Sequence, residues 1–277
     1  QQLQQLQQLP PMKWIKRLAI TAVLIYLVIG ALLFAFQESL LFHPRPRPDD
    51  HRYGDYEELW FPLEDGKRLH ALRLPGTTAQ RNGVVLYLHG NVGDNGRSIY
   101  QTRTLAGTSY DRILVDYRGF GKSEGKIDGE EDLTTDFQAV YDQLKKEYPE
   151  NKIIVAGYSM GSGPASFLAA NNHPAGVVLV APYTSLVDMK NEFFWMFPDF
   201  LMKYDLNNRK HLAAASCPVH ILHGTADELI PYRMGETLAS LDPDRITLEA
   251  IPGAGHRRAV LSEAFGRAVK VMIERFE

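Results

Sequence analysis

The sequence predicts one α/β domain with a mostly parallel central sheet of about eight strands, helices on both faces and a small cap, preceded by one N-terminal transmembrane helix. Three observations lead to this prediction. Short unbroken runs of Val, Ile and Leu alternate with stretches of helical spacing. One segment near the N-terminus is apolar and long enough to cross a bilayer. The length of 277 residues and the 45% hydrophobic content suit a single domain with a short appendage.

The N-terminal segment is predicted to be a membrane anchor. Residues 1–11 repeat Gln-Gln-Leu and end in two prolines, which is typical of an expression tag or a low-complexity tail, so we exclude them from the fold prediction. Leu18–Phe36 contains no charged residue, and about 20 apolar residues at roughly 1.5 Å each span a bilayer core. We predict an anchor over residues 12–42. A cleaved signal peptide and a buried core helix are the alternatives, and the length of the apolar run argues against both.

Charges and prolines around the anchor predict its orientation and its link to the domain. Lys13, Lys16 and Arg17 precede the apolar run, and the next basic side chains lie farther away, beyond its C-terminal end. This bias favours a cytoplasmic N-terminus and a domain on the external side, periplasmic or lumenal. Residues 43–52 hold three prolines and predict a stiff, extended connector to a domain over 53–277.

Alternating and continuous apolar segments predict the strands. Tyr56–Pro62 and Arg68–Leu74 flank an Asp-Gly turn, which indicates an antiparallel hairpin. Continuous runs are typical of parallel strands buried on both faces. These runs are Val84–Leu88, Ile113–Val115, Ile153–Ala156, Val177–Val180 and Val219–Leu222.

Apolar spacing of about 3.6 residues predicts the helices that connect these strands. They are Glu131–Tyr148, the segment just after Ser159, Tyr232–Leu241 and Arg257–Phe276. Residues 186–212 lack this regularity, and aromatic side chains crowd between Phe193 and Tyr204. We predict a short cap over the functional site here. The alternative is a short helix that only packs onto the core.

Composition excludes several classes of function. The net charge is −3 and no long Lys/Arg-rich run occurs, which argues against nucleic acid as a partner. Cys217 is the only cysteine, so the chain can form neither an intrachain disulfide nor a thiolate metal cluster. No His-Glu-x-x-His or comparable spacing predicts a metal site. We therefore expect no metal and no cofactor.

The motif Gly157-Tyr158-Ser159-Met160-Gly161 predicts a nucleophile. It lies directly after the strand predicted at Ile153–Ala156 and before a helical stretch, which is the context that a nucleophile elbow requires. Small residues two positions on either side of the serine allow strand and helix to approach closely at a tight bend. Alone, this motif is weak, because glycine and serine are common.

A serine nucleophile requires a histidine base and a carboxylate that orients it. Asp227 follows the strand predicted at Val219–Leu222, and His256 ends the segment Gly253–His256, directly before the last predicted helix. Taken singly, Asp227 suits a helix N-cap and His256 suits a loop histidine. Taken together, and in the chain order Ser, Asp, His, they predict a catalytic triad with Ser159. Glu228 is the reserve acid.

The oxyanion that forms during acyl transfer needs backbone N–H donors. Met160, the residue after the nucleophile, is predicted to supply one. Asn91, in the turn that follows Val84–Leu88, is predicted to supply the other. His89 in the same turn is expected to support the loop rather than act as a second base.

Several motifs resemble those of α/β-hydrolases, and the match covers nearly the whole domain. They are Leu88–Asn91, Asp116–Gly125, Gly157–Gly161, Ala181–Ser185, His223–Asp227 and Gly253–His256. The N-terminal span, the Ser39–Pro44 junction and the compact cap are similar to those of the membrane-anchored bud-emergence-like hydrolases, which are related to eukaryotic protein depalmitoylases. Those depalmitoylases bind membranes through a lipidated cysteine-rich N-terminus, whereas this sequence has a predicted span and one distant cysteine, Cys217, so the resemblance does not carry their protein substrate over to it.

The triad, the anchor and the aromatic segment together predict a serine hydrolase that cleaves acyl esters or thioesters at a membrane surface. Its partners would be a small acyl-ester or lipid-like substrate and the bilayer. A serine peptidase of the prolyl-oligopeptidase type shares the triad order, but the chain has no room for its gating domain. A catalytically silent, membrane-tethered binding module on the same scaffold is the third interpretation.

Overall fold

The computed structural model describes residues 12–78 and 82–276. Residues 1–11, which we predicted to be a tag or a low-complexity tail, lie outside the described residues. The strands are β1 His43–Pro44, β2 Glu57–Pro62, β3 Arg68–Leu74, β4 Val84–Leu88, β5 Val92–Gly93, β6 Asp111–Val115, β7 Ile153–Tyr158, β8 Gly176–Val180, β9 Val219–Gly224 and β10 Ile246–Ile251. The α-helices are α1 Met12–Ala35, α2 Gln37–Leu41, α3 Asn95–Gln101, α4 Glu130–Leu144, α5 Ser162–Asn171, α6 Leu186–Phe194, α7 Asn208–Ala214, α8 Tyr232–Ala239, α9 His256–Ala259 and α10 Glu263–Glu274.

Eight of these strands form one twisted sheet in the order β10-β9-β8-β7-β4-β6-β3-β2. The neighbours from β10 to β6 are parallel, whereas β3 pairs antiparallel with both β6 and β2. The hairpin predicted around the Asp-Gly turn is therefore the antiparallel edge of the sheet. The prediction of a mostly parallel sheet of about eight strands is confirmed.

The central strands are buried on both faces, which explains their unbroken apolar sequences. In β4, Val84 and Leu86 pack into the core on one face, and Val85 and Tyr87 pack into the core on the other. Helices α4, α5 and α8 contribute to the first core, and α10 contributes to the second. The four side chains of β4, Val84 to Tyr87, are fully buried, so the helices on both sides exclude water from the sheet.

The last helix differs from its prediction. Two helices, α9 and α10, occupy the segment expected to be one helix over Arg257–Phe276. The hydroxyl of Ser262 donates to the carbonyl of Ala259 (2.7 Å), and Ser262 has an extended backbone immediately before α10. Serine competes with the helical backbone for hydrogen bonds in this way, which ends α9 after one turn.

The N-terminal helix α1 is long and apolar enough to cross a membrane over Lys13–Ala35, and nearly all of it is exposed. The helix ends at Ala35, and the short α2 follows after Phe36, whose backbone dihedral angles (φ −107°, ψ 18°) are not those of an α-helix. The proline-containing segment after α2 pairs with the domain. Strand β1 runs parallel to β5, and Arg45 donates through its backbone to the carbonyl of Gly93 (3.1 Å).

Candidate active site

Ser159 lies at the tip of a sharp bend between β7 and α5. Its φ of 54° is in the left-handed region, which a non-glycine residue rarely adopts without support from its surroundings. The support comes from two close backbone contacts. A Cβ at Gly157 would lie 2.5 Å from the Gly161 carbonyl oxygen, and a Cβ at Gly161 would lie 2.1 Å from the Leu88 carbonyl oxygen. Only glycine fits at both positions, so the spacing of the motif has a steric cause.

Three side chains distant in sequence form one hydrogen-bonded row. The hydroxyl of Ser159 lies 3.0 Å from His256 Nε2, and His256 Nδ1 lies 2.9 Å from Asp227 Oδ2. With a carboxylate facing Nδ1, the proton of the neutral imidazole belongs on Nδ1, and Nε2 is free to accept from the serine. The structure thus brings together the three residues that the sequence analysis selected. Each comes from the carboxyl end of a parallel strand or the loop beyond it, where ligand sites of such sheets gather.

Asp227 is held as a carboxylate. Burial of its side chain opposes ionisation, but hydrogen bonds from His223 and His256 outweigh this cost and hold the pKa of the carboxyl well below its usual value. Its other oxygen, Oδ1, accepts from the backbone N–H groups of Leu229 (2.9 Å) and Ile230 (2.8 Å). The carboxylate therefore stays ionised and fixed in orientation.

The reserve acid and the second histidine have other positions. Glu228 accepts from the backbone N–H of His256 (3.1 Å) and does not take the place of Asp227 at the imidazole. His89 is buried, its Nδ1 lies 2.6 Å from the Gly90 carbonyl oxygen, and its Nε2 lies 3.5 Å from the buried carboxylate of Asp116. These contacts give His89 a supporting position beneath the loop, as expected.

The two residues selected as oxyanion donors, Asn91 and Met160, line the same cavity as Ser159. The loop of Asn91 is braced from the N-terminal segment. The Asn91 side-chain amide donates to the Leu41 carbonyl (2.8 Å), and the Asn91 carbonyl accepts from the backbone N–H of His43 (2.8 Å). The end of α2 therefore positions the loop from which the second donor is expected.

An apolar cavity of about 440 Å³ opens at Ser159. Its walls come mainly from three parts of the chain: the N-terminal segment, residues 186–202 within the segment predicted to form the cap, and the loop beyond Asp227. The lining residues other than the three named above are Leu33, Phe34, Gln37, Leu40, Leu41, Phe42, Tyr183, Leu186, Met189, Lys190, Phe193, Phe194, Phe197, Leu201, Met202, Leu229 and Ile230. Apolar side chains dominate this set, which is typical of a pocket that receives an apolar group.

Sequence reasoning missed two parts of this site. His223 is fully buried, and its Nε2 lies 3.5 Å from Asp227 Oδ2 and 3.0 Å from the Ile230 carbonyl oxygen. Its position four residues before Asp227 was a weak signal for this role. The contribution of α1 and α2 to the cavity had no signal, because an apolar span has the same composition whether or not it also faces the domain.

Comparison with known proteins finds relatives of this chain among hydrolases and among uncharacterized proteins. The family model described as Serine aminopeptidase, S33, matches residues 79–211. An uncharacterized protein of Mycobacterium tuberculosis is 26% identical over 275 residues, which are 96% of this chain and 96% of that protein. A lysophosphatidylserine lipase of Danio rerio is 28% identical over 179 residues, 57% of this chain. The match covers 47% of the lipase, so this chain aligns with about half of it.

The fold has close counterparts among solved structures. An esterase of Pyrococcus furiosus superposes with a TM-score of 0.64 and 20% identity, covering 85% of this chain and 97% of the esterase. At this level of identity the likeness establishes the architecture. The predicted α/β-hydrolase fold is confirmed, with its mostly parallel sheet, its helices on both faces and one apolar N-terminal helix that is long enough to span a membrane.

Proposed function

We propose that this chain, a hydrolase of the α/β type, cleaves acyl esters or thioesters of lipid-like molecules. The reaction proceeds through an acyl-enzyme intermediate, and α1 anchors the protein in a membrane. One observation carries the proposal: the row of Ser159, His256 and Asp227 opens into an apolar cavity. This arrangement pairs a nucleophile, a base and an orienting carboxylate with a pocket for a hydrocarbon chain.

In the proposed mechanism, Ser159 Oγ attacks the acyl carbonyl carbon while His256 Nε2 takes its proton. Asp227 keeps the Nδ1 proton in place and stabilises the imidazolium. Backbone N–H groups of Met160 and Asn91 stabilise the negative charge on the carbonyl oxygen. The imidazolium then gives its proton to the leaving alcohol or thiol. A water molecule, deprotonated by His256, attacks the carbonyl carbon of the acyl-enzyme. The bond between Ser159 Oγ and the acyl group then breaks, the imidazolium returns its proton to Ser159 Oγ, and the acid is released.

Two findings favour an acyl chain over a peptide as the group that fills the cavity. The relative from Danio rerio is a lysophosphatidylserine lipase, and lysophosphatidylserine carries one acyl chain on a polar head group. An aminopeptidase, the activity in the description of the matching family model, must instead hold a free ammonium group. Among the described residues that line the cavity there is no Asp or Glu to pair with it.

Chain-length dependence tests the proposed substrate class. We expect kcat/KM for p-nitrophenyl esters to rise by about three- to fourfold per added CH₂ until the acyl chain fills the cavity, because each buried CH₂ contributes about 0.8 kcal/mol. Met189 lines the cavity, so Met189→Trp should shift the optimum to shorter chains. A flat or falling profile in the unmodified protein would contradict a lipid-shaped pocket.

We further propose that the N-terminus is cytoplasmic and the domain lies on the external side of the membrane. Lys13, Lys16 and Arg17 at the start of α1 support this orientation. A C-terminal fluorescent protein that matures only in the cytoplasm is expected to remain dark on the full chain. In a matched control, replacing all three basic residues with Gln should make part of the population fluorescent. Full fluorescence of the unmodified fusion would reverse the proposed orientation.

A further inference from the structure

The cap contacts α1 well inside the apolar helix rather than at its end. We define the cap tip as residues 193–201. The ring of Tyr26 stacks on Phe197 with 4.9 Å between centroids, and the Tyr26 hydroxyl donates to the Met196 carbonyl (2.8 Å). Gly30, one turn later, also faces the cap tip. A Cβ at this position would lie 3.5 Å from the Phe197 ring and 3.6 Å from a methyl group of Leu201. The tip therefore packs along α1 from Tyr26 to Gly30.

This contact places the tip at a depth that can be calculated from helix geometry. Tyr26 precedes Ala35, the last residue of α1, by nine positions. At a rise of roughly 1.5 Å per residue, this is about 14 Å along the axis. Half of a bilayer hydrocarbon core is about 15 Å. A helix α1 that spans the membrane therefore carries the cap tip into the hydrocarbon of the leaflet next to the domain.

Polar contacts mark the level at which the hydrocarbon ends. Gln37 donates through its side chain to the Leu201 carbonyl (2.9 Å) and accepts from the backbone N–H of Lys203 (2.8 Å). The ammonium of Lys203 pairs with the carboxylate of Glu38 at 2.9 Å. These groups follow α1 directly, so they lie at the headgroup level, and the cap tip lies on the bilayer side of them.

The surface of the cap tip is apolar and unsuited to water. Phe200 is 80% exposed and Trp195 is 74% exposed, and Phe193, Phe194 and Met196 are also exposed. A contiguous apolar patch of this kind marks a surface that binds a partner or a membrane. It adjoins α1 through the contacts of Met196 and Phe197 with Tyr26, and the apolar side chains of α1 are themselves mostly exposed. Continuity with the span identifies the bilayer, rather than a protein, as what covers the patch.

The charged side chains in and around the cap tip are neutralised in pairs, which lowers the cost of approaching a low-dielectric phase. Each charge from residue 186 to residue 203 has a partner of opposite sign. The pairs are Asp188 with Arg209, Lys190 with Asp199, Glu192 with Arg233, and Lys203 with Glu38. The ammonium of Lys190 also donates to the Phe197 carbonyl (2.6 Å).

The catalytic cavity opens towards this same surface. Its lining includes Phe34 and Leu40 from the N-terminal segment and Phe193 and Phe194 from the cap, and all four side chains are also exposed. Side chains that face both the cavity and the outside form the rim of an opening. The rim therefore lies between the N-terminal segment and α6, at the level where the bilayer begins.

We propose that the cap tip inserts into the leaflet and that α1 forms one wall of a lateral entrance, through which the acyl chain of a membrane lipid reaches Ser159 without passing through water. The inference rests on the proposed function and deepens it. Its substrate class is a lipid resident in the leaflet, with its ester at the headgroup level. On this view α1 is part of the substrate path as well as an anchor.

The depth of the cap tip can be measured without any reference to catalysis. The chain has three tryptophans, Trp14, Trp60 and Trp195, and Trp195 reports on the tip. The full chain with Trp14→Phe and Trp60→Phe, reconstituted in phosphatidylcholine vesicles, should lose most of its emission when the acyl chains are brominated, and should be shielded from acrylamide. The matched variant that retains only Trp60, on strand β2, should respond in the opposite way.

Two results of this measurement would overturn the proposal. Quenching of Trp195 by acrylamide but not by brominated lipid would place the tip in water. Protection of Trp195 from both quenchers would place it against protein, as in contact with a second copy. Neither result would affect the proposed hydrolysis, which is measured by turnover. Quenching of Trp195 by brominated lipid in a protein that hydrolyses no ester would instead contradict the proposed function while supporting the proposed insertion.

A pair of charge variants connects insertion to substrate access. Phe200→Lys should lower the rate on a long-chain ester embedded in vesicles by about tenfold relative to the rate on a short soluble ester in detergent, because a lysine is costly in hydrocarbon. Val271→Lys is the control, since Val271 is 64% exposed on α10, which packs on the other face of the sheet. The ratio of the two rates is the readout. An unchanged ratio in Phe200→Lys would contradict lateral entry.

Discussion

Ser159→Ala is expected to lower kcat for acyl-ester hydrolysis by about 10⁵-fold and to abolish labelling by a fluorophosphonate probe. The hydroxyl of Ser159 is the group placed 3.0 Å from His256 Nε2, and removing it leaves the base with no nucleophile to activate. Alanine can occupy the left-handed backbone region, as Ala181 does with a φ of 49°, so we expect the alanine variant to fold. Turnover of a short ester and labelling of the purified full chain measure the two effects.

Ser240→Ala provides the control for this experiment. Ser240 is exposed and follows the last residue of α8, and its hydroxyl donates to the Thr237 carbonyl in that helix. Labelling and turnover of this variant should therefore match those of the unmodified protein. Retention of full hydrolysis by Ser159→Ala would remove the proposed mechanism. Absence of labelling in the unmodified protein, with no turnover of any ester, would favour the interpretation as a silent, membrane-tethered binding module.

Asp227→Asn is expected to lower kcat by about 10⁴-fold with little change in KM. The carboxylate accepts the Nδ1 proton of His256 at 2.9 Å, and its depressed pKa keeps it ionised through the working range of pH. An amide of the same shape can present its NH₂ group to the ring and favour the tautomer that carries a proton on Nε2. That tautomer cannot accept the proton of Ser159. Steady-state kinetics on a short, soluble ester measure the loss.

Glu228→Gln distinguishes the two neighbouring acids. Glu228 is exposed and contacts the backbone N–H of His256 at 3.1 Å rather than its ring, and the amide oxygen of glutamine can still accept that hydrogen bond. We expect a loss of less than tenfold. If Glu228→Gln cost more activity than Asp227→Asn, the role of orienting carboxylate would belong to Glu228 and the assignment made above would be wrong.

The strand positions and the bend at Ser159 could be predicted because their causes are local. A strand buried on both faces requires an unbroken apolar run, and Ile153–Ala156 is recognisable from this property alone. The elbow requires residues without side chains at Gly157 and Gly161, since a Cβ at either position would meet backbone oxygen. The end of α9 was missed because Ser262 competes for a hydrogen bond that apolar spacing does not report.

Other features of the site depend on contacts between distant segments. Asp227 and Glu228 are adjacent carboxylates, and the sequence could rank them but not show which one faces the ring. The structure assigns the ring contact to Asp227 because two backbone N–H groups and His223 orient its carboxylate. The bracing of Asn91 by Leu41 spans 50 residues and has no counterpart in any local pattern.

The sequence by itself determined the fold class, the apolar N-terminal helix and the three residues proposed as the triad, because each follows from spacing, composition or chain order. Only the tertiary structure decided that α1 and α2 form a wall of the cavity and that residues 193–201 pack against α1 at Tyr26 and Gly30. Hydrophobic attraction is non-directional, so an apolar segment carries no record of which distant surface it will cover. The depth that residues 193–201 reach in a membrane depends on the surface against which they pack, which here is α1.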